Sequence, residues 1–185
     1  SGEKSWALNQ DQLSTTHPIV APINDLNDTY VNFDGITYAK GASVLKQLVA
    51  YVGRSEFFEG INHYLYRHAY SNATLNDLLT ELEGTSGRDL KTWSAQWLEQ
   101  AGINTIATDL HTAQDGTISE LTLHQFAPTD HSVLREHRLA VGFDSGDAGS
   151  GKVVRADRIE LDVDGATTIV PTAGKAKPAL ILAND

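Results

Sequence analysis

The spacing of apolar residues changes near Gly102, and this change limits the possible folds more than any other feature of the sequence. Before Gly102, apolar residues recur three and four positions apart, which is typical of amphipathic helices. After Gly102 they alternate with polar residues in short runs, which is typical of half-buried β-strands. The sequence therefore predicts an α+β fold, with helices over residues 1–101 and a small β-sandwich over residues 102–185.

Four helices are predicted in the first part, each starting at a residue whose side chain can accept hydrogen bonds from free backbone amides. These capping residues are Asp34, Ser55, Thr74 and Asp89. The first helix is predicted from Asp34 to Gly53, with Phe33 and Tyr38 at the two positions of a hydrophobic staple around its cap. The first thirty residues contain two prolines and show no sustained period, so an extended loop is predicted there.

Short alternating runs bounded by turn residues predict the strands of the second part. The predicted strands are residues 105–111, 118–126, 137–143, 153–163, 167–170 and 179–182. Asp115 and Gly116 lie between the first two runs, and this pair favours the tight turn of a β-hairpin. Two layers of such strands would form the small β-sandwich.

Composition argues against several functional classes. The net charge of −10 and the lack of a Lys/Arg cluster argue against a nucleic-acid partner. No apolar run is long enough to span a bilayer, so no membrane partner is expected. The sequence contains no cysteine, which excludes thiolate metal ligands and fits a cytoplasmic location. The negative charge either increases solubility or steers cationic peptides to the surface, and the first interpretation is favoured.

The residues alone do not form a recognisable catalytic or metal motif. There is no H-E-x-x-H sequence, and Glu136-His137 lacks the second histidine one helical turn away. His63 and His68 are five positions apart, so they face different sides of a helix and are not expected to chelate a metal. A nucleophilic serine in a G-x-S-x-G turn and a phosphate-binding loop are also absent from the sequence. No metal site is therefore predicted in this chain.

One stretch resembles a known family. Phe33-Asp34-Gly35-Ile36-Thr37-Tyr38-Ala39-Lys40-Gly41-Ala42 is similar to the signature around the catalytic tyrosine of the aminopeptidase N family, the gluzincin zinc metalloaminopeptidases. Further matching segments are Thr16-His17-Pro18-Ile19 upstream of it, and Tyr70-Ser71-Asn72-Ala73-Thr74 and the segment from Trp97 to Gly102 downstream, in the family's order and nearly at its spacing. The resemblance covers nearly the whole chain. It implies that residues 1–101 form the helical C-terminal part of a thermolysin-like catalytic domain, followed by a β-sandwich domain.

The resemblance also implies roles for individual residues. Tyr38 matches the tyrosine whose hydroxyl donates a hydrogen bond to the oxyanion formed when zinc-activated water attacks the peptide carbonyl. A phenol suits this role because it donates from a stiff side chain without bringing a positive charge near the metal. Phe33 lies where several members have a second tyrosine near the substrate, which implies a substrate-binding position without a hydrogen bond. Lys40 is expected to be solvated or ion-paired, and Gly41 to allow close helix packing.

The family's zinc ligands and its G-x-M-E-N loop precede the tyrosine, and neither motif occurs in the thirty-seven residues before Tyr38. The sequence is therefore expected to be an internal fragment of a zinc-dependent aminopeptidase of peptide catabolism, inactive alone and without zinc of its own. It would pack against the missing catalytic and C-terminal domains, and the parent enzyme would bind peptide substrates. The alternative is a non-catalytic protein-interaction module that retains the tyrosine motif without using it.

Overall fold

A computed structural model describes residues 2–146 and 152–183. The chain divides into two compact units, Ser1–Ile103 and Asn104–Asp185. The described part of the first unit is helical, and that of the second consists mainly of antiparallel strands. This mixture confirms the predicted α+β class. None of the helices in the described ranges is both long and apolar enough to cross a membrane.

The helical unit contains six α-helices and one π-helical turn among its described residues. These are α1 (Gly2–Gln10), α2 (Leu26–Val31), the π turn (Ile36–Lys40), α3 (Gly41–Val52), α4 (Arg54–Arg67), α5 (Leu75–Ser86) and α6 (Leu90–Trp97). The buried faces of α3, α5 and α6 share one core, in which Leu82, Leu90 and Trp93 are almost completely buried. The ring of Trp97 packs on that of Trp93, with ring centroids 6.1 Å apart.

Most of the predicted helix starts are confirmed. Thr74 and Asp77 form a capping box at α5, and Asp89 accepts hydrogen bonds from two backbone amides at the start of α6. The prediction for Ser55 is wrong. The backbone reverses at Gly53, whose φ of 97° favours glycine, so α4 already begins at Arg54. Ser55 therefore lies inside the first turn, where its hydroxyl donates to Glu56 instead of capping the helix.

The prediction of an extended loop over the first thirty residues is also wrong, because α1 and α2 lie there. Along α1 only Ala7 is buried, and along α2 no residue is buried, so neither helix shows an apolar stripe in the sequence. Local capping starts α2, where Asp25 accepts a hydrogen bond from the Asp28 amide at 2.9 Å. The first helix is held by contacts with the π turn, which lies 25 and more residues later in the chain.

The β-rich unit contains two three-stranded antiparallel sheets, with strand orders β1-β2-β5 and β4-β3-β6. The strands are β1 (Thr105–Thr112), β2 (Ile118–Phe126), β3 (His137–Gly146), β4 (Val153–Val163), β5 (Thr167–Val170) and β6 (Leu180–Ala183). The predicted strands match these to within a few residues. The β1–β2 hairpin is also confirmed, with Leu110 opposite Leu121 and Gly116 at a φ of 81° in the turn. Both sheets contribute to one core, whose members include Leu121 and Leu123 from β2 and Val141 and Phe143 from β3.

Candidate active site

Tyr38 lies in the middle of the π turn that leads into α3. Its amide donates to the Asp34 carbonyl at 3.1 Å, while the amides of Ala39 and Lys40 both donate to the Gly35 carbonyl, at 3.0 and 2.9 Å. The bond from Lys40 spans five residues, so the turn is wider than that of an α-helix. Single π turns of this kind occur often at functional sites.

The tyrosine side chain is half-exposed and contacts the predicted substrate-binding residue. The rings of Tyr38 and Phe33 lie 5.1 Å apart between centroids and are inclined by 60°, which is the predicted staple contact. Tyr38 is 50% exposed and Phe33 is 68% exposed. Among the residues that the structure describes, none makes a hydrogen bond with the Tyr38 hydroxyl. The structure thus brings Phe33 and Tyr38 together, and their roles toward a substrate stay predictions.

The carboxylate of Asp34 fixes the start of the π turn. Its Oδ1 accepts hydrogen bonds from the amides of Ile36 and Thr37, both at 3.0 Å. Its Oδ2 accepts from the side-chain amide of Gln10 at 2.5 Å and from Nε2 of His17 at 2.9 Å. A carboxylate offers about four acceptor positions, so all of them are occupied here. We call Gln10, His17 and Asp34 the Asp34 clamp.

These contacts also set the charge of the carboxyl group. Burial raises the pKa of Asp34, but hydrogen bonds from the Thr37 amide and from His17, together with the His17 charge and the Ile36 amide, outweigh burial. The net effect holds the pKa of Asp34 below its usual value. Asp34 is therefore an anion at neutral pH and accepts all four hydrogen bonds.

His17 faces an acceptor with each ring nitrogen. Its Nδ1 lies 2.7 Å from the carbonyl oxygen of Pro18, and its Nε2 lies 2.9 Å from the Asp34 carboxylate. Neither oxygen can donate, so both contacts are hydrogen bonds only when both nitrogens carry a proton. The two ring nitrogens thus point at two oxygen acceptors, and the contact between His17 and Asp34 is half-buried, with side-chain exposures of 20% and 15%.

The backbone of Gly35 packs tightly against α1. Its amide donates to Oε1 of Gln10 at 2.8 Å, so Gln10 bonds to both residues at the start of the turn. A Cβ atom at Gly35 would lie 2.7 Å from that oxygen and 2.9 Å from the indole of Trp6. At Gly41, where close packing was predicted, the nearest atom to such a Cβ is 3.8 Å away, so that prediction is wrong and Gly35 is the position of close approach.

Lys40 was expected to be either solvated or ion-paired, and the structure shows it buried and ion-paired. Its ammonium lies 2.7 Å from Oδ2 of Asp11 and donates to the Gly102 carbonyl at 3.0 Å. Oδ1 of Asp11 accepts from the Thr16 hydroxyl at 2.7 Å and from the Gly102 amide at 3.2 Å. Asp11 Oδ2 receives no well-aligned hydrogen bond, so its charge is balanced chiefly by the ion pair. This pair joins the end of α1 to the π turn and to the end of the helical unit.

The described residues do not form a zinc site. In residues 2–146 and 152–183, no three His, Cys, Asp or Glu side chains are grouped so that they could hold a metal ion. His63 is half-exposed and lies 4.0 Å from Glu81, whose other oxygen pairs with Arg67. His137 is buried in the β-rich unit and donates from Nε2 to Gln125. Burial lowers its pKa to about 4, and the charge of Arg135 adds to the shift.

Sequence reasoning found Tyr38, Phe33 and Asp34, but missed Gln10 and His17 as parts of the site. His17 belongs to a stretch that resembles the family, so the sequence marked its position, but the resemblance gave it no role in the site. Gln10 had no signal, because its helix shows no periodic pattern and was predicted to be a loop.

Comparison with known proteins agrees with the resemblance. Residues 2–97 match the model of the peptidase family M1 domain. The chain is 57% identical over 189 aligned residues to aminopeptidase N of Streptomyces lividans, covering 98% of this chain and 22% of the relative. It is 41% identical over 100 residues to a leucyl aminopeptidase of Saccharolobus solfataricus, covering 54% of this chain and 13% of the relative. It is 37% identical over 124 residues to tricorn protease-interacting factor F2 of Thermoplasma volcanium, covering 67% of this chain and 15% of the relative.

This chain thus spans less than a quarter of the length of each of these relatives. The family match nevertheless includes more than half of its residues, among them the π turn and the Asp34 clamp. The chain belongs to peptidase family M1 and is similar to aminopeptidase N over nearly its whole length.

Proposed function

We propose that this chain is part of a zinc-dependent aminopeptidase that removes N-terminal residues from peptides, in which Tyr38 donates a hydrogen bond to the oxyanion of the transition state. The relatives named as aminopeptidases support the reaction class. One observation supports the role of Tyr38 most directly: its hydroxyl makes no hydrogen bond to a described residue, and its backbone belongs to the π turn, which hydrogen bonds hold in place.

Oxyanion stabilisation requires a donor that is in place before the charge develops, because reorganisation during the reaction would cost much of the gain. The π turn meets this requirement, since four hydrogen bonds hold Asp34 and its carbonyl in turn accepts the Tyr38 amide. The ring contact with Phe33 further restricts the tyrosine side chain. The hydroxyl would donate as water adds to the peptide carbonyl and a proton-accepting group elsewhere in the whole enzyme takes up the water proton.

Phe33 is proposed as a wall of the substrate pocket. Its ring is largely exposed beside Tyr38 and offers an apolar surface without a hydrogen-bonding group. A substrate side chain placed against this ring would gain by burial of apolar area.

Zinc chemistry cannot be assigned to the described residues, because they contain no fitting set of ligands. In the proposed enzyme, the metal and its ligands belong to other parts of the longer protein. The helical unit would complete a thermolysin-like catalytic domain, and the β-rich unit would be the following sandwich domain. We also propose that the enzyme works in the cytoplasm and packs its remaining domains against this chain.

The whole protein encoded by the gene provides the test. Purified whole protein should release the fluorescent amine from an unblocked aminoacyl-methylcoumarylamide, and should leave the N-acetylated substrate intact because an aminopeptidase requires a free amino terminus. The 185-residue chain should hydrolyse neither substrate. A whole protein that binds partners but hydrolyses no unblocked substrate would support the alternative, a protein-interaction module.

A further inference from the structure

We propose that His17 and Gln10 are positioning residues for Tyr38: through Asp34 they hold the π turn in the one orientation that aims the tyrosine hydroxyl at the reacting carbonyl. The inference rests on the proposed function of Tyr38, and it assigns the clamp a role in turnover as well as in folding.

The number of donors around Asp34 supports this inference. A helix start is stabilised when a side chain accepts from one or two of the first free amides, and Oδ1 of Asp34 alone accepts from two, Ile36 and Thr37. The second oxygen is therefore not needed for capping. It is instead held by two side chains that come from 17 and 24 positions earlier in the sequence.

The two side chains hold Asp34 from different parts of the chain. Gln10 ends α1 and bonds to both Asp34 and the Gly35 amide, which prevents the turn from sliding along α1. Nδ1 of His17 lies 2.7 Å from the Pro18 carbonyl oxygen, and this contact orients the ring so that Nε2 points at the carboxylate. Together they determine the position and rotation of the carboxylate, and hence of the backbone that carries Tyr38.

The path from the clamp to the tyrosine is short. The Asp34 carbonyl accepts the Tyr38 amide at 3.1 Å, and the neighbouring Gly35 carbonyl accepts two amides at the wide part of the turn. A rotation at residues 34 and 35 therefore turns Tyr38 directly. Displacing a catalytic group by about 1 Å can reduce turnover by about 100-fold, so a small rotation would be sufficient to affect the rate.

Two substitutions of His17 separate the two hydrogen bonds of its ring. In His17→Gln, the side-chain amide reaches the position of Nε2 and can still donate to Asp34. In His17→Asn, the shorter amide reaches the position of Nδ1 and can donate only to the Pro18 carbonyl. Both variants lose the ring, and they differ in which contact they keep: the one with Asp34 in His17→Gln, and the one with Pro18 in His17→Asn. His111→Asn, at an exposed histidine of the other unit, is the control for the substitution itself.

Steady-state kinetics of the whole enzyme should show that His17→Asn lowers kcat by about 10- to 100-fold with KM changed by less than about twofold. His17→Gln should recover most of kcat, and His111→Asn should match the unsubstituted enzyme. In a Tyr38→Phe background, His17→Asn should lower kcat by less than about twofold more, because the clamp acts through the hydroxyl that is already absent. Equal losses of kcat in the two His17 variants, or a full additional loss in the Tyr38→Phe background, would show a structural role alone.

A second measurement does not depend on activity. In the 185-residue chain, nuclear Overhauser effects between the ring protons of Phe33 and Tyr38 should be present in the unsubstituted protein and in His17→Gln, and weakened in His17→Asn. If Tyr38→Phe leaves kcat unchanged, the proposed function of Tyr38 fails, and these ring contacts still decide whether the clamp orients the tyrosine. If the ring contacts are the same in all three proteins, the positioning role is excluded.

Discussion

Replacing Lys40 with methionine tests the buried ion pair that joins α1 to the π turn. Lys40 and Asp11 have side-chain exposures of only 8% and 1%, and their charged atoms lie 2.7 Å apart. Methionine keeps most of the apolar stem of lysine and removes the ammonium group. The substitution therefore leaves the Asp11 carboxylate buried without its cation.

The expected cost follows from this geometry. Removing one partner of a buried ion pair costs about 3–5 kcal/mol, because the remaining charge is desolvated and no longer balanced. Asp11 keeps its hydrogen bonds from Thr16 and the Gly102 amide, so we expect the lower end, about 3 kcal/mol. Domains of this size are stable by about 5–15 kcal/mol, so the loss is a large fraction of the total.

The assay is urea denaturation followed by tryptophan fluorescence. All three tryptophans, Trp6, Trp93 and Trp97, lie in the helical unit, so the signal reports on that unit alone. The second variant, Lys40→Met with Asp11→Asn, removes the stranded charge and should recover at least about half of the lost free energy of unfolding. A loss below about 1 kcal/mol in Lys40→Met, or no recovery in the double variant, would refute the reasoning.

Two further predictions follow from packing and burial. Gly35→Ala should lower the free energy of unfolding by about 1–3 kcal/mol in the urea assay, because its Cβ would lie 2.7 Å from Oε1 of Gln10. In Gly41→Ala the nearest atom to the new Cβ would be 3.8 Å away, so this variant should be neutral or slightly stabilising in the same assay. The pKa of His137 is about 4 in the folded state and about 6.5 for an ordinary histidine in the unfolded chain, so the unfolded state takes up a proton first as the pH falls. The contribution of neutral His137 to the free energy of unfolding is therefore fully present above pH 6.5 and is lost as the pH falls toward 4. Between pH 7 and pH 5 the free energy of unfolding should fall by about 2 kcal/mol. Urea denaturation followed by the amide NMR signals of β3 should show this loss, and His137→Gln should remove most of it; equal pH dependence in both proteins would contradict the assignment.

The parts of the fold that sequence reasoning predicted are those in which periodicity and local capping agree. Thr74 and Asp89 start helices because their own side chains cap the adjacent amides, and these contacts span only two or three residues. The strands of the β-rich unit are short runs bounded by turn residues, so their positions were predictable to within a few residues. Long-range contacts leave no such pattern. The first helix buries only Ala7 and depends on the π turn, so its sequence shows no helical period.

The same limit applies to the site. The tyrosine, its staple partner and the capping aspartate are close in sequence, and the family resemblance identified them together. His17 and Gln10 reach Asp34 across 17 and 24 positions, and no spacing rule connects residues so far apart. The π turn itself was also not predicted, because it differs from an α-helix by one residue in a segment that continues directly into α3.

The central claim is that the Tyr38 hydroxyl stabilises the transition state, and the most direct test is Tyr38→Phe in the whole enzyme. The substitution keeps the ring and its contact with Phe33 and removes only the donor. If the account is correct, kcat falls by about 100- to 1,000-fold with KM nearly constant, as expected for the loss of one oxyanion donor, and the melting temperature stays nearly unchanged. An unchanged kcat would contradict the claim and leave Tyr38 only as the staple of its helix.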